Sequence, residues 1–572
     1  MLDAVIRGGD VIDGSGSPRR RADVGINAGR IQSIGRVTDE ATSVIDAEGM
    51  VVAPGFIDVH THLDAQVFWD PDLSPSSLHG VTTVIGGNCG FSLTPLTDAS
   101  AEYVMRMLSR VEGIPLPALV EGVPWNWHTT SEYLALLEGR LAINAGFMAG
   151  HSAIRRAVMG DAANEREATS EELDAMKASL RECLAAGAFG FSTSLSRTHN
   201  DMDRRPVPSR FASQDEFVAL ASMCRDFEGT VLAMLPSADN TFPDEIVELM
   251  ISMSLAADRP INWNAIVPYE NNLADTYQKL AASDRARERG AKIIALARPE
   301  RDAIRLNFAS AFVLDALNGW AEAMALPADE KLQLLRDPVE RAKLAELAEG
   351  SFAPGGLNFA DWARHRILET FTEATKSYEG RLVADVAEEE AKNPFDALVD
   401  IVCADDLRTV FAIEPAADTR ADWECRVEVL RDRRVVIGAS DAGAHVDMAG
   451  DFNYMTRLFS RVVREQGLMS TEEAVHLLTE VPSSLYGLRD RGLLAEGFAA
   501  DLVIFDEDSI GTKPLQSRFD LPAGAQRLFA EPIGISHVIV NGVTAVRDGE
   551  FTGQRSGAVL RSGIDTASPR MD

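Results

Sequence analysis

Residues 54–62 read PGFIDVHTH, an apolar run that ends in two histidines two positions apart. In a strand, alternate side chains share a face. Asp58, His60 and His62 are therefore expected to point one way, and Ile57, Val59 and Thr61 the other. Two imidazoles on one face of a rigid strand can ligate a single metal ion, and the borderline-soft Zn²⁺ suits them. Short patterns of this kind also arise by chance, and two of the ten histidines falling close together would then carry no chemistry.

Downstream, apolar runs alternate with amphipathic helical stretches. Strands are expected at Gly55–His60, Val81–Gly86, Ile143–Gly150, Phe189–Ser194, Val231–Leu235, Ile261–Ile266, Lys292–Ala297 and Val435–Ser440, with helices such as Ser170–Ala186 and Gln214–Glu228 between them. Apolar strands alternating with helices imply an α/β parallel sheet covered on both faces, and eight closing on themselves imply a distorted (β/α)8 TIM-type barrel. The long gap before the last run is helix-rich and charged over Leu332–Glu349 and Phe371–Asp385. It reads as a helical insertion, about 299–408, on the catalytic rim. One further apolar run, Thr409–Ile413, competes for a place among the eight. The first fifty residues instead alternate short apolar runs with Gly/Asp turns, a texture that returns at 500–506 and 537–550. Residues 1–53 and 487–560 are thus expected to build one small β-sandwich domain from both termini, leaving 54–486 for the barrel.

A chain of 572 residues with 46% hydrophobic and 25% charged residues has the composition of a globular enzyme. Its formal net charge of −32 argues against sequence-independent nucleic-acid binding and against docking on anionic membranes. The N-terminus has no basic region followed by an apolar one, and no apolar run reaches the about 18–20 residues of a transmembrane helix, so neither a signal peptide nor a membrane span is expected. Five scattered cysteines, Cys89, Cys183, Cys224, Cys403 and Cys425, suit a reducing cytoplasm better than a disulfide framework.

Barrel enzymes carry their chemistry at the C-terminal ends of the strands. Here those ends hold His60 and His62, then Cys89 in the GGNCG turn of 86–90, then His151, then His199, and finally Asp441 with His445 after the last strand. Because a barrel closes, Asp441 should lie beside the first strand and complete a His60/His62/Asp441 site with one position open to water. An ion there would lower the pKa of bound water to about 7. The hydroxide would attack a carbonyl, with Asp441 taking the proton and passing it to the leaving nitrogen. Cys89, His151, His199 and His445 are candidates for an additional ligand or a substrate contact, His151 being better placed to bond loop backbone. His128, His365, His476 and His537 read as structural.

The stretches GGDVIDGSG (8–16), APGFIDVHTH (53–62), GVTTVIGGNCG (80–90), GASD (438–441), DRGLLAEG (490–497) and ADLVIFD (500–506) occur in this order almost end to end. On them the chain resembles the amidohydrolase superfamily, in its N-acyl-D-amino-acid deacylase (D-aminoacylase-like) branch. The resemblance implies a metal-dependent barrel with a β-domain, hydrolysing a non-peptide C–N bond of a small-molecule amide. In the deacylases, Zn²⁺ is held by the cysteine of GNCG with one histidine after strand five and another after strand six. Here 231–237 and 260–265 contain no histidine, and no lysine lies near strand four to be carboxylated as a bridge. One zinc ion is therefore expected, with any second site weak or rebuilt from His199 or His445. The branch's basic residues for a free substrate carboxylate are not recognisable, so neutral amides are expected to be preferred. Arg197, Arg204, Arg205 and Arg210 of the loop 196–210 are the residues that would restore anion binding. The alternatives left open are a cyclic amide or lactone substrate, or a binding protein without turnover. No nucleic-acid or membrane partner is expected, and self-association into a homo-oligomer is left open.

Overall fold

All eight expected runs form parallel strands in the computed structural model, which describes every residue except 238, 301–303, 311, 350–357, 414, 416 and 572. The strands are β1 (Phe56–Asp58), β2 (Val81–Gly86), β3 (Asn144–Phe147, continued by Ala149–Gly150), β4 (Gly190–Ser194), β5 (Val231–Leu235), β6 (Ile261–Ile266), β7 (Ile293–Ala297) and β8 (Val435–Ile437). Most of their residues are buried, as strands walled by helices outside and by one another inside must be. β1, β2 and β3 pair in one arc, and the continuation of β3 pairs with β4 to begin a second arc that runs to β8. Past β8, the Asp441 N–H donates to the His60 carbonyl at 3.1 Å and the His62 N–H donates to the Ala442 carbonyl at 2.7 Å. These bonds close the barrel and set Asp441 against the two histidines.

Ile57 and Val59 point into the lumen, where they pack with Ile85, Phe189, Val231, Leu296 and Val436. Asp58 is buried outside the lumen, beside Ser440, with its Oδ1 3.5 Å from the His60 N–H and within electrostatic reach of Tyr454. The expected common face of Asp58, His60 and His62 is therefore corrected. The strand ends at Asp58 and His60 sits in a bend, so the two-residue period does not carry through.

Helices fill the connections. The helix Ser170–Ala185 begins on a reciprocal capping box between Thr169 and Glu172. Gln214–Ser222, Asp244–Ala257 and Leu273–Glu288 follow β4, β5 and β6. The segment between β7 and β8 has a core of its own, built around Leu306, Trp320, Trp362, Phe395 and Phe411. The run Thr409–Ile413 belongs to that segment: Val410–Ile413 pairs antiparallel with His365–Glu369, away from the barrel. Of the two charged stretches expected to be helical, the first forms Ala328–Arg336 and Pro338–Ala348, whereas the second forms a 3-10 turn at Lys376–Tyr378 and enters the α-helix Val383–Glu389. The segment docks on the rim. Asn307 donates to Asp447 at 3.0 Å, Arg305 N–H donates to the Met448 carbonyl at 3.0 Å, and Arg110 pairs with Asp315 at 2.5 Å.

Both termini meet in one nine-stranded sheet. Its seam is the antiparallel pair Val51–Pro54 with Leu502–Phe505, directly upstream of β1. Among the described residues, no helix is long and apolar enough to cross a membrane.

Candidate metal centre

His60, His62 and Asp441 converge at the mouth of the barrel. Asp441 Oδ1 lies 3.4 Å from His60 Nε2 and 3.2 Å from His62 Nε2, and Cys89 Sγ lies 3.5 Å from His60 Nε2. One donor atom from each of His60, His62 and Cys89 falls within 4.8 Å of the other two. Donors bound about 2.0–2.3 Å from a tetrahedral ion stand roughly 3.3–3.8 Å apart. The spacing and the N/S/O donor set fit zinc. The imidazole side chains are 2% and 3% exposed, whereas that of Asp441 keeps 31%, so the carboxylate is the face of the cluster open to solvent.

The electrostatics agree with a site that holds positive charge. Burial pushes His60 down, but Cys89 and Asp441 outweigh it and bring the imidazole up to about 9. His62 moves the same way, with Glu112, Asp441 and Cys89 opposing burial. Burial pushes the Cys89 thiol up, and His60 and His62 overcome it, bringing it down to about 7. Asp441 is held well below the usual carboxylate range by the two imidazoles, against the effect of burial.

Backbone geometry presents these groups. Asp441, Cys89 and His445 all have positive φ, at 59°, 54° and 47°. The Cys89 turn is pinned by Gly87 N–H donating to Asp64 Oδ2 at 2.9 Å and Gly90 N–H donating to Ser192 Oγ at 3.0 Å. Asn264 on β6 directs its amide at Cys89 Sγ, 3.8 Å away.

The remaining candidates separate. His199 reaches the mouth: its Nδ1 is 2.8 Å from Ser194 Oγ and its ring packs on Phe91 with centroids 5.0 Å apart. Burial, with His445 and His62 nearby, lowers it to about 3. His445 also faces Asp441 and His62, and burial lowers its pKa. His151 does not belong to the centre. Its Nδ1 is 2.9 Å from Thr193 Oγ1 and its Nε2 is 2.8 Å from Glu216 Oε1, and Glu216 is itself clamped by Arg155. With both ring nitrogens engaged by side chains it has no lone pair for an ion, and it does not bond loop backbone as expected.

Sequence reasoning missed Glu112. It follows the helix Asp98–Val111, its side chain is 3% exposed, and its Oε1 lies 3.3 Å from His62 Nδ1. Burial, reinforced by Cys89 and Asp441, pushes its carboxyl up against the pull of His62. The available signal was a lone acid closing an amphipathic helix in a loop that the barrel places at the mouth.

Known proteins are similar to the chain over nearly its whole length. The model of the amidohydrolase family matches residues 43–546. The D-aminoacylase of Alcaligenes xylosoxydans xylosoxydans is 28% identical, over 98% of this chain and 97% of its own length. A crystal structure of D-aminoacylase superimposes with a TM-score of 0.65 at 27% identity, covering 98% of this chain and all of that one. The N-acyl-D-glutamate deacylase of Bordetella bronchiseptica, solved with zinc and a phosphonate mimic of the tetrahedral intermediate, gives 0.64 at 26% identity, with 98% and 100% coverage.

Proposed function

Because the chain belongs to the amidohydrolase family, we propose that it hydrolyses the amide bond of small N-acyl compounds of the N-acyl-D-amino-acid type, using one zinc ion on His60, His62 and Asp441. The observation that carries this reading is the approach of Asp441 Oδ1 to both histidines, at 3.4 and 3.2 Å, with Cys89 3.5 Å from His60, at the barrel mouth. An ion held there supplies Lewis acidity that polarises the amide carbonyl and acidifies water. Asp441, the most exposed of the donors, removes the proton from the attacking water and hands it to the leaving nitrogen. Burial keeps the His199 and His445 rings neutral, which suits them to hydrogen-bond the substrate's polar atoms at the mouth. Cys89 offers a further donor through its 3.5 Å approach to His60 Nε2. In this reading residues 1–53 with 487–560 form the β-domain, and 54–486 form the barrel with 299–408 inserted.

Arg210 bears on the substrate's carboxylate. Arg210 donates to the His199 carbonyl at 3.1 Å and to Asn200 Oδ1 at 2.9 Å, and its guanidinium is lowered by burial and by neighbouring Arg197. Arg197, Arg204 and Arg205 are exposed, and Arg205 lies 3.6 Å from Asp203. The reading gives a free carboxylate to Arg210, the one half-buried arginine of the four, against the preference for neutral amides expected from the sequence.

Metal analysis of protein prepared without chelator tests the centre, alone and with His60→Ala. The expected result is about one tightly held equivalent, lost in the variant together with amide hydrolysis; two tight equivalents would overturn the single-ion reading. A panel of N-acetyl-D-amino acids against their methyl esters decides the second point. Faster hydrolysis of the esters would return the preference to neutral amides.

A further inference from the structure

Glu112 lies at the centre without a part in the chemistry above. Its N–H donates to the Leu108 carbonyl at 2.9 Å, and its own carbonyl accepts the N–H of His445. The residue is thus fixed between the end of a helix and the loop that follows β8. From there its carboxylate meets His62 at the nitrogen opposite the one turned to Asp441. His62 turns Nε2 toward Asp441 at 3.2 Å, while its Nδ1 is buried without a hydrogen bond, with Glu112 Oε1 3.3 Å away. A histidine that binds a metal through one nitrogen ordinarily gives its other N–H to a carboxylate, carbonyl or water, which fixes its tautomer and ring orientation.

We propose that Glu112 is the positioning carboxylate of His62. It accepts the Nδ1–H, so the proton stays on Nδ1 and the Nε2 lone pair is presented to the ion. The inference rests on the reading of His60, His62 and Asp441 as ligands. In this reading Glu112 is not a ligand, because it meets His62 at Nδ1, the nitrogen opposite the one turned to Asp441. The same residue ties two strand ends together. Its side chain sets His62 after β1, and its backbone holds the loop that carries Asp441 and His445.

The test is zinc affinity, read by competition with a chromophoric chelator, together with the visible spectrum of the cobalt-loaded protein. Loss of such an outer partner typically weakens metal binding 10–100-fold. Glu112→Ala is expected to show that loss, and Glu112→Gln, which keeps one accepting oxygen in the same volume, a smaller one. In a His62→Ala background Glu112→Ala should add nothing, and at saturating cobalt the spectrum of the single variant should keep its shape. Unchanged zinc affinity in Glu112→Ala, an equal loss in the His62→Ala background, or a spectrum showing a changed coordination number would each overturn the assignment. Should the alanine variant fail to fold, Glu112→Gln carries the same comparisons. Zinc affinity indifferent to both His60→Ala and His62→Ala would instead overturn the ligand reading itself, and this inference with it.

Discussion

Asp441 combines features that rarely coincide in one residue: positive φ, a carboxylate held ionised by two imidazoles, and the exposed side of an otherwise buried cluster. A non-glycine residue in that backbone region costs of order 1–3 kcal/mol and persists only where its surroundings impose it. Here the two hydrogen bonds that close the barrel impose it. Asp441→Asn keeps the size and one coordinating oxygen but removes the base. Activity on an N-acyl-D-amino acid should fall by about 10²–10⁴-fold, with thermal stability kept and zinc content measured alongside. Near-normal turnover would move the proton transfer to His445. The same scale shows what single residues disclose in sequence. His60, His62 and Asp441 were legible because strand ends and barrel closure alone bring them together. His151 looked equivalent to them, and only the side chains of Thr193 and Glu216 reveal that its nitrogens are spoken for. Glu112 left only the faint signal of an acid closing a helix, because its meeting with His62 depends on where a helix after β2 ends.

At the scale of elements, the eight strands were readable because a parallel strand buried on both faces is written as a short unbroken apolar run. Thr409–Ile413 is written the same way, yet pairs with His365–Glu369. Apolarity reports burial, not the partner strand. The turn that presents Cys89 depends on a different property. Gly87 has φ +74°, and a Cβ there would run into the backbone of Met148 on the neighbouring β3. Left-handed backbone costs an ordinary residue roughly 1–2 kcal/mol, and overpacking adds about 1–3 kcal/mol. Gly87→Ala should therefore destabilise the fold by about 2–5 kcal/mol in urea unfolding, and it should weaken the thiolate-to-cobalt charge-transfer band by displacing Cys89. Gly139, at φ +69° with nothing within 4 Å of an added Cβ, is the control. Gly139→Ala should pay only the backbone cost and leave the band unchanged. Equal losses in the two variants would show that close approach to β3 plays no part in holding the turn.

Across the whole molecule, buried histidines far from the centre couple stability to pH. His79 ends the turn before β2, with Nδ1 2.9 Å from Thr456 Oγ1 and Nε2 3.0 Å from the Ala530 carbonyl, so its ring joins the barrel wall, the helix Tyr454–Arg457 and the C-terminal segment. Burial lowers it from 6.5 to about 4. His365, in the core of the inserted segment, is lowered to about 4 by the same cause. Above pH 6.5 both folded and unfolded states keep the rings neutral, and the shift has no effect on stability. As pH falls below 6.5 the unfolded chain binds protons that the folded one refuses, so stability declines, and the loss levels off below about pH 4. One unit of pKa corresponds to about 1.4 kcal/mol, so each ring contributes on the order of 3 kcal/mol across that window. Carboxylates titrate over the same range, so the measurement is a difference. Urea-unfolding free energy from pH 7 to pH 4 should fall by about 3 kcal/mol more in the wild type than in His79→Gln, whose side chain keeps a donor for the Ala530 carbonyl and does not titrate. Parallel pH curves for the two proteins would mean that the buried ring accepts its proton in place, with Ala530 and Thr456 rearranging around it.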